Sequence, residues 1–252
     1  MFNRFEISDD PLDNKLRFNA KKYLLSIRKQ FFNNCPEKTL KSKIIGKRVL
    51  DIGICEHSID RINSNSWKHK MILSNASYVL GIDIDEKLVN YLKAKKYNVT
   101  CIDATSGEYL GEKFDVVNIG DVIEHVSNPL KLLEFAKRHL NQHGQIIVRT
   151  PNPFHFNYYY LTYIHGISVE NMEHLSYIVP FHMLEICRRL NMNFDHYYEQ
   201  YPLIYSKYFS DVKLGFKRII GNLLKFQFRY IYNEFFGKPS TYSNMFMYVI
   251  KL

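Results

Sequence analysis

Short apolar runs that close on or beside an acidic residue, separated by segments of helical periodicity, constrain this chain more than anything else in it. Val49-Leu-Asp-Ile-Gly53, Tyr78-Val-Leu-Gly-Ile-Asp83, Asn98-Val-Thr-Cys-Ile-Asp103 and Phe114-Asp-Val-Val-Asn-Ile-Gly-Asp121 all have this form. After the second run, Leu88, Val89 and Leu92 recur at helical spacing behind Asp85, a good N-cap residue. After the fourth, Ser127-Asn-Pro129 opens a helix carrying Leu130, Leu133, Ala136 and Leu140, with a stop expected at Gly144. Gln145-Ile-Ile-Val-Arg-Thr150 then reads as a fifth strand. Strands alternating with helices predict an α/β fold with a doubly wound, mostly parallel sheet. Ligands of such sheets bind at the carboxyl ends of the strands, where Asp51, Asp83, Asp103 and Asp121 would gather.

The flanking segments are less regular. Leu16, Ala20, Tyr23, Leu24, Ile27 and Phe31 predict a helix from Asn14 to Phe32, ending before Pro36, within a basic lead-in over residues 1–46. Residues 47–252 then form the main domain. His57 to Asn75 is polar and contains the only tryptophan, Trp67. Asn157 to Ser176 is rich in Tyr and His without clean periodicity and reads as a loop facing the substrate. Pro180 opens a helix with Met183, Leu184, Cys187 and Leu190, and a strand is expected from Phe194 to Ile204. A helical insertion over 205–240 holds an amphipathic helix at 211–231, whose apolar face includes Val212, Phe216 and Ile219 and whose other face carries Arg218, Lys225 and Arg229. Ser243 to Leu252 closes the chain as a strand.

With 252 residues, 46% of them hydrophobic, the chain can bury one sizeable core. It contains no apolar run of about 18 residues, so no spanning helix is expected. Its first residues lack the apolar stretch of a secretory signal. Four scattered cysteines, Cys35, Cys55, Cys101 and Cys187, point to neither a zinc site nor a disulfide framework and suit the reducing cytoplasm. The net charge of +9 favours anionic partners or reflects a lysine-rich solvated surface, and the latter is the reading taken.

Four motifs, Val49-Leu-Asp-Ile-Gly53, Gly81-Ile-Asp83, Ile102-Asp-Ala104 and Phe114 to His125, occur in an order that resembles the class I S-adenosylmethionine-dependent methyltransferases. The branch is similar to ubiquinone-biosynthesis enzymes and bacterial sugar and natural-product methyltransferases. The resemblance implies a Rossmann-like sheet of seven strands, with the N-terminal helix and the insertion before the last strand as additions. It also implies S-adenosylmethionine as cofactor and S-adenosylhomocysteine as product. Carried over residue by residue, Asp51 meets the methionine ammonium, Asp83 the ribose hydroxyls and Asp103 the adenine amino group. Ala104 offers its backbone to the ring, Gly120 runs beneath the methionine portion, and Gly53, Cys55 and Ile84 complete the cofactor contacts. Where the family has further glycines, this chain has Cys55 and His57, which need an ordinary backbone conformation or a cost in strain.

Methyl transfer to a hydroxyl needs alignment and a base, and imidazole suits the second task. His174 is the favoured base, His125 the next and His155 a third, with Asp121 beside them. Asp121-Val-Ile-Glu124-His125 also resembles an acid-x-x-Glu-His arrangement that binds a divalent ion in some quinone-type O-methyltransferases, and no metal is assigned on that ground. Asn152-Pro-Phe154 resembles part of the DNA amino-methylating motif but follows the fifth strand, not the fourth, so a nucleic-acid substrate is not expected. The expected acceptor is a small molecule, a hydroxyl of a sugar or nucleotide-linked sugar in a bacterial surface polysaccharide pathway. A quinone or phenolic acceptor is the first alternative, and a catalytically degenerate binding subunit is the second. Helix 211–231 is expected to pack on the domain or form an oligomer contact before it meets a membrane surface.

Overall fold

The computed structural model describes residues 8, 10–167, 171–200 and 243–252. The expected insertion over 205–240 and its helix at 211–231 lie outside the described residues. Among the described residues eight strands form one mixed sheet in the order β1-β7-β8-β6-β5-β2-β3-β4. They are β1 (Arg28–Gln30), β2 (Arg48–Ile52), β3 (Tyr78–Asp83), β4 (Val99–Cys101), β5 (Phe114–Gly120), β6 (Leu140–Pro151), β7 (Asn193–Glu199) and β8 (Met245–Lys251). Only β8 runs antiparallel, paired to β6 on one side and β7 on the other.

The central strands are apolar along their length because both faces of the sheet are covered. Val49, Leu50, Val116, Val117, Ile119, Ile146, Ile147 and Val148 are all fully buried. Helices α5 (Glu86–Ala94) and α6 (Pro129–Arg138) form where the periodicity places them. Asp85 Oδ1 accepts from Leu88 N, the expected N-cap, and Asn128 Oδ1 accepts from Lys131 N to cap α6.

Three expectations change. The first helix, α1 (Asn14–Ile27), stops before Phe32, because Arg28 to Gln30 leave it to pair with β7 as an eighth strand. Phe31 is then buried against Tyr198, with ring centroids 5.7 Å apart, a burial that one more helical turn would forfeit. A short turn and α2 (Pro36–Ile44) complete the lead-in. Secondly, α6 ends at Arg138, and Gly144 lies inside β6, where Leu140 already pairs with Phe114. Thirdly, Phe156–His165 is a helix, α7, where a loop is expected. It buries only Phe156 among its residues, so it carries no apolar stripe for periodicity to detect. Its stop signal was present: Gly166 takes φ 71° and its amide donates to Thr162 O at 2.8 Å. Helix α8 (Pro180–Arg189) forms as expected, and β7 ends at Glu199.

The polar segment after β2 makes two short helices, α3 (Ile59–Ile62) and α4 (Lys68–Leu73). Strand β2 lies between β3 and β5, so the chain order reverses beside it. That reversal opens a crevice at the carboxyl ends of β2 and β5.

Candidate active site

A cavity of about 710 Å³ occupies this crevice, within the size range of small-ligand sites. Gly53, Cys55, Asp83, Ile84, Asp103 and Ala104 line one part of it; Asp121, Val122, His125 and Glu173 line another. A second compartment of about 200 Å³ adjoins it and is lined by Asp51, His69, Asn118, Gly120 and Arg149 among others.

The loop after β2 explains how backbone approaches the cavity. Gly53 takes φ 81°, and a Cβ there would overlap Cγ2 of Val122, so a side chain is excluded both by conformation and by space. Cys55 lies outside the left-handed region, whereas His57 adopts φ 61° without being glycine. The glycine-like turn therefore survives at His57, at a strain cost of about 1 kcal/mol or more. Burial and the nearby Asp83 carboxylate push the Cys55 thiol far above its usual range, so it lines the cavity as an uncharged group.

Asp83 is fixed by two backbone amides: Cys55 N donates to Oδ2 at 2.8 Å and Asp85 N to Oδ1 at 3.0 Å. Each oxygen keeps a lone pair for a ligand hydroxyl. Asp103 is exposed and accepts from Thr105 N and Oγ1, both at 2.7 Å. Ala104 is buried and Ile84 is 72% exposed at the cavity rim. Asp51 is buried, accepting from Asn118 Nδ2 at 2.6 Å and paired with His69 Nδ1 at 2.6 Å. His69 can lie this close because Gly81 has no side chain; a Cβ there would stand 2.9 Å from His69 Cε1.

On the other side of the cavity, Asp121 binds Arg149 through two bonds, 3.1 Å from Nε and 2.8 Å from Nη2, and Lys68 Nζ at 2.6 Å. Burial would raise its pKa, but the two cations outweigh it and hold the carboxyl below the ordinary range. Beyond it, two imidazoles flank one carboxylate. Glu173 Oε2 lies 3.9 Å from His57 Nδ1 and 4.0 Å from His125 Nδ1. The ring of His174 packs edge-on against His125 with centroids 4.8 Å apart. His125 lines the cavity and His174 stands behind it, while His155 caps α7. Glu124, His125 and His174 each offer one ligand atom within 4.8 Å of the others. Asp121 is not part of that group, its oxygens being engaged by Arg149 and Lys68.

Glu124 is fully buried, accepts from Thr150 Oγ1 at 3.0 Å, and its Oε1 has no hydrogen-bond partner among the described residues. Burial raises its pKa from 4.5 to about 7. The folded state thus keeps a proton that the unfolded chain releases. Its stabilising effect is present below pH 4.5 and is lost as pH rises through about 7. Glu124→Gln should accordingly remove part of the loss of stability across that window in denaturant titrations. An unchanged pH slope would mean that Glu124 ionises normally.

A sequence profile of a family described as a methyltransferase domain matches residues 20–197. The chain belongs to the class I S-adenosylmethionine-dependent methyltransferases. The folds agree. A methyltransferase from Archaeoglobus fulgidus is 16% identical with TM-score 0.56, the alignment covering 95% of this chain and all of that one. One from Mesorhizobium loti is 15% identical with TM-score 0.51, covering 87% and 99%. A Haloferax volcanii complex of the Trm112 activator with a putative methyltransferase gives 11% identity and TM-score 0.54, covering 85% and 87%. No curated protein sequence matches this methyltransferase significantly.

The enzyme's cofactor is S-adenosylmethionine, and the residues present fit it. The cradle at Gly53 admits close backbone approach, Asp83 has free lone pairs for two hydroxyls, and paired charges stand beside Asp51 and Asp121. Lys68 and His69 are among the site residues that sequence reasoning missed, with Asn118, Arg149 and Glu173. Lys68 and His69 sit in the polar segment after β2, and nothing local in that segment marks them as partners of Asp121 and Asp51.

Proposed function

We propose that this methyltransferase O-methylates a hydroxyl of a sugar or nucleotide-linked sugar, with His125 taking the hydroxyl proton. The observation carrying this reading is the imidazole cluster around Glu173 at the cavity wall, with His125 itself lining the cavity. When bound, S-adenosylmethionine supplies an electrophilic methyl group on a sulfonium. The chain's own residues have three tasks: to hold the cofactor, to orient the acceptor and to accept one proton. Asp83 receives the ribose hydroxyls, Asp103 and Ala104 the adenine, and Gly53, Cys55 and Ile84 enclose them. Asp51 and Gly120 belong to the methionine end. Asp121, kept ionised by Arg149 and Lys68, is unsuited to accept a proton and acts by holding the loop between cofactor and acceptor.

His125 is placed to accept the proton of the acceptor hydroxyl, and the exposed Glu173 beside it lets that proton pass on to water. His174 braces the His125 ring. His57, Ser127 and Glu173 add hydrogen-bonding groups to the same wall, which suits a polyhydroxylated acceptor better than a quinone. A nucleotide-linked acceptor implies a cytoplasmic setting; among the described residues no helix is long and apolar enough to cross a membrane.

Transfer of labelled methyl groups to a panel of nucleotide sugars, free sugars, catechols and quinols tests the reading. Label is expected in the sugar arm. Label confined to the catechols and quinols would replace the acceptor class, and binding of S-adenosylmethionine without transfer to any arm would favour a degenerate binding subunit.

A further inference from the structure

Three consecutive residues at the start of α4 each reach a different segment of the site: the loop after β2, the end of β5 and β2 itself. Trp67 Nε1 donates to Ile54 O at 2.8 Å, Lys68 Nζ to Asp121 Oδ2 at 2.6 Å, and His69 Nδ1 pairs with Asp51 Oδ2 at 2.6 Å. We propose that Lys68 and His69 are positioning residues for the amino-acid end of the cofactor, which the smaller compartment receives. The inference rests on S-adenosylmethionine being the cofactor and is independent of the acceptor.

Charge is the first argument. In the smaller compartment three carboxylates, Asp51, Glu56 and Asp121, face three cations, Arg61, Lys68 and Arg149. Such a lining suits a zwitterion, an ammonium and a carboxylate on one carbon. The described residues lining the larger cavity include no lysine or arginine, so a ligand carboxylate finds its cations only in the smaller one. The two spaces share Gly53, Cys55, His57 and Asp121, which lets one ligand extend through both.

Burial is the second argument. His69 is 2% exposed, and its Nε2 has no hydrogen-bond partner among the described residues. A buried imidazole with one unsatisfied nitrogen is costly to keep. Here it fixes Asp51 from one side while Asn118 fixes it from the other. Lys68 does the same for Asp121 opposite Arg149, with a side chain that is 44% exposed. Asp51 and Asp121, on β2 and at the end of β5, are thus both braced from the start of α4.

Two ligands that differ only at the amino-acid end separate positioning from general structure. Calorimetry would compare S-adenosylhomocysteine with 5′-methylthioadenosine, which lacks that end, on the full chain and on Lys68→Met, His69→Ala and His69→Asn. The wild type is expected to bind both. Lys68→Met and His69→Ala should lose about tenfold or more in affinity for S-adenosylhomocysteine while 5′-methylthioadenosine stays within about twofold. His69→Asn should recover most of the loss, because its amide can still donate to Asp51. The KM for S-adenosylmethionine should rise with kcat held within about threefold. Equal loss for both ligands, or an undiminished Lys68→Met, overturns the proposal. Lys68 being partly exposed, its variant decides the matter if His69→Ala does not fold. A wild type that binds neither ligand overturns the cofactor assignment itself.

Discussion

Asp83→Ala is expected to weaken binding of S-adenosylhomocysteine by about a hundredfold, with far less effect on thermal stability than on affinity. Asp83 holds two backbone amides, from Cys55 and Asp85, at 2.8 and 3.0 Å, and is only partly buried at the end of β3. Its remaining lone pairs are free to accept from a ribose diol. Each charge-assisted hydrogen bond is worth about 1.5–3 kcal/mol, so losing two at the lower value, about 3 kcal/mol, accounts for the expected factor. Removing the carboxylate also frees the Cys55 amide, which loosens the loop next to Gly53. Asp83→Asn should fall between, because one of its two terminal atoms can still accept while the other opposes an N–H donor. Calorimetry gives both numbers, and a normal affinity in Asp83→Ala would show that the ribose lies elsewhere.

The second large effect is expected in turnover. His125→Ala should lower kcat by about a hundredfold or more while S-adenosylhomocysteine binds within about twofold of the wild type. His125 lines the cavity, with Glu173 and the His174 ring beside it. His174→Ala should cost about tenfold, since it braces the base without reaching the cavity. The reverse ranking would make His174 the base and would require the Asn171 to Ser176 segment to move inward on substrate binding. Equal, small effects in both variants would assign the proton to solvent.

The position of His57 connects these predictions. A non-glycine residue at φ 61° is strained, and strain of this kind persists where surrounding structure holds it. His57 lies 3.9 Å from Glu173 on the same wall as His125, and the start of α4 props the same loop through Trp67 to Ile54 and Lys68 N to Glu56. Relative to the resembled family, two glycines have been exchanged for a thiol and an imidazole that line the site. The loop's shape is kept by contacts from other segments.

Much of this fold was legible in the residues themselves because the determining interactions are short in sequence. The apolar runs of β2, β3, β5 and β6 needed only their own composition, and the caps at Asp85 and Asn128 act over three residues. The order of Asp51, Asp83, Asp103 and Asp121 along the chain was enough to gather them at one end of a sheet, while the cofactor was implied by the resemblance of the motifs that hold them. Tertiary structure alone decided what each acid is bound to. Asp51 meets His69 from 18 residues away and Asn118 from 67, and Asp121 meets Lys68 from 53. It also turned Arg28 to Gln30 from expected helix into an edge strand, and brought His125 to the cavity wall with His174 behind it. Periodicity reports which face of an element is apolar. It carries no information about which distant side chain will lie 2.6 Å from a carboxylate, because that distance is set by strand order and packing.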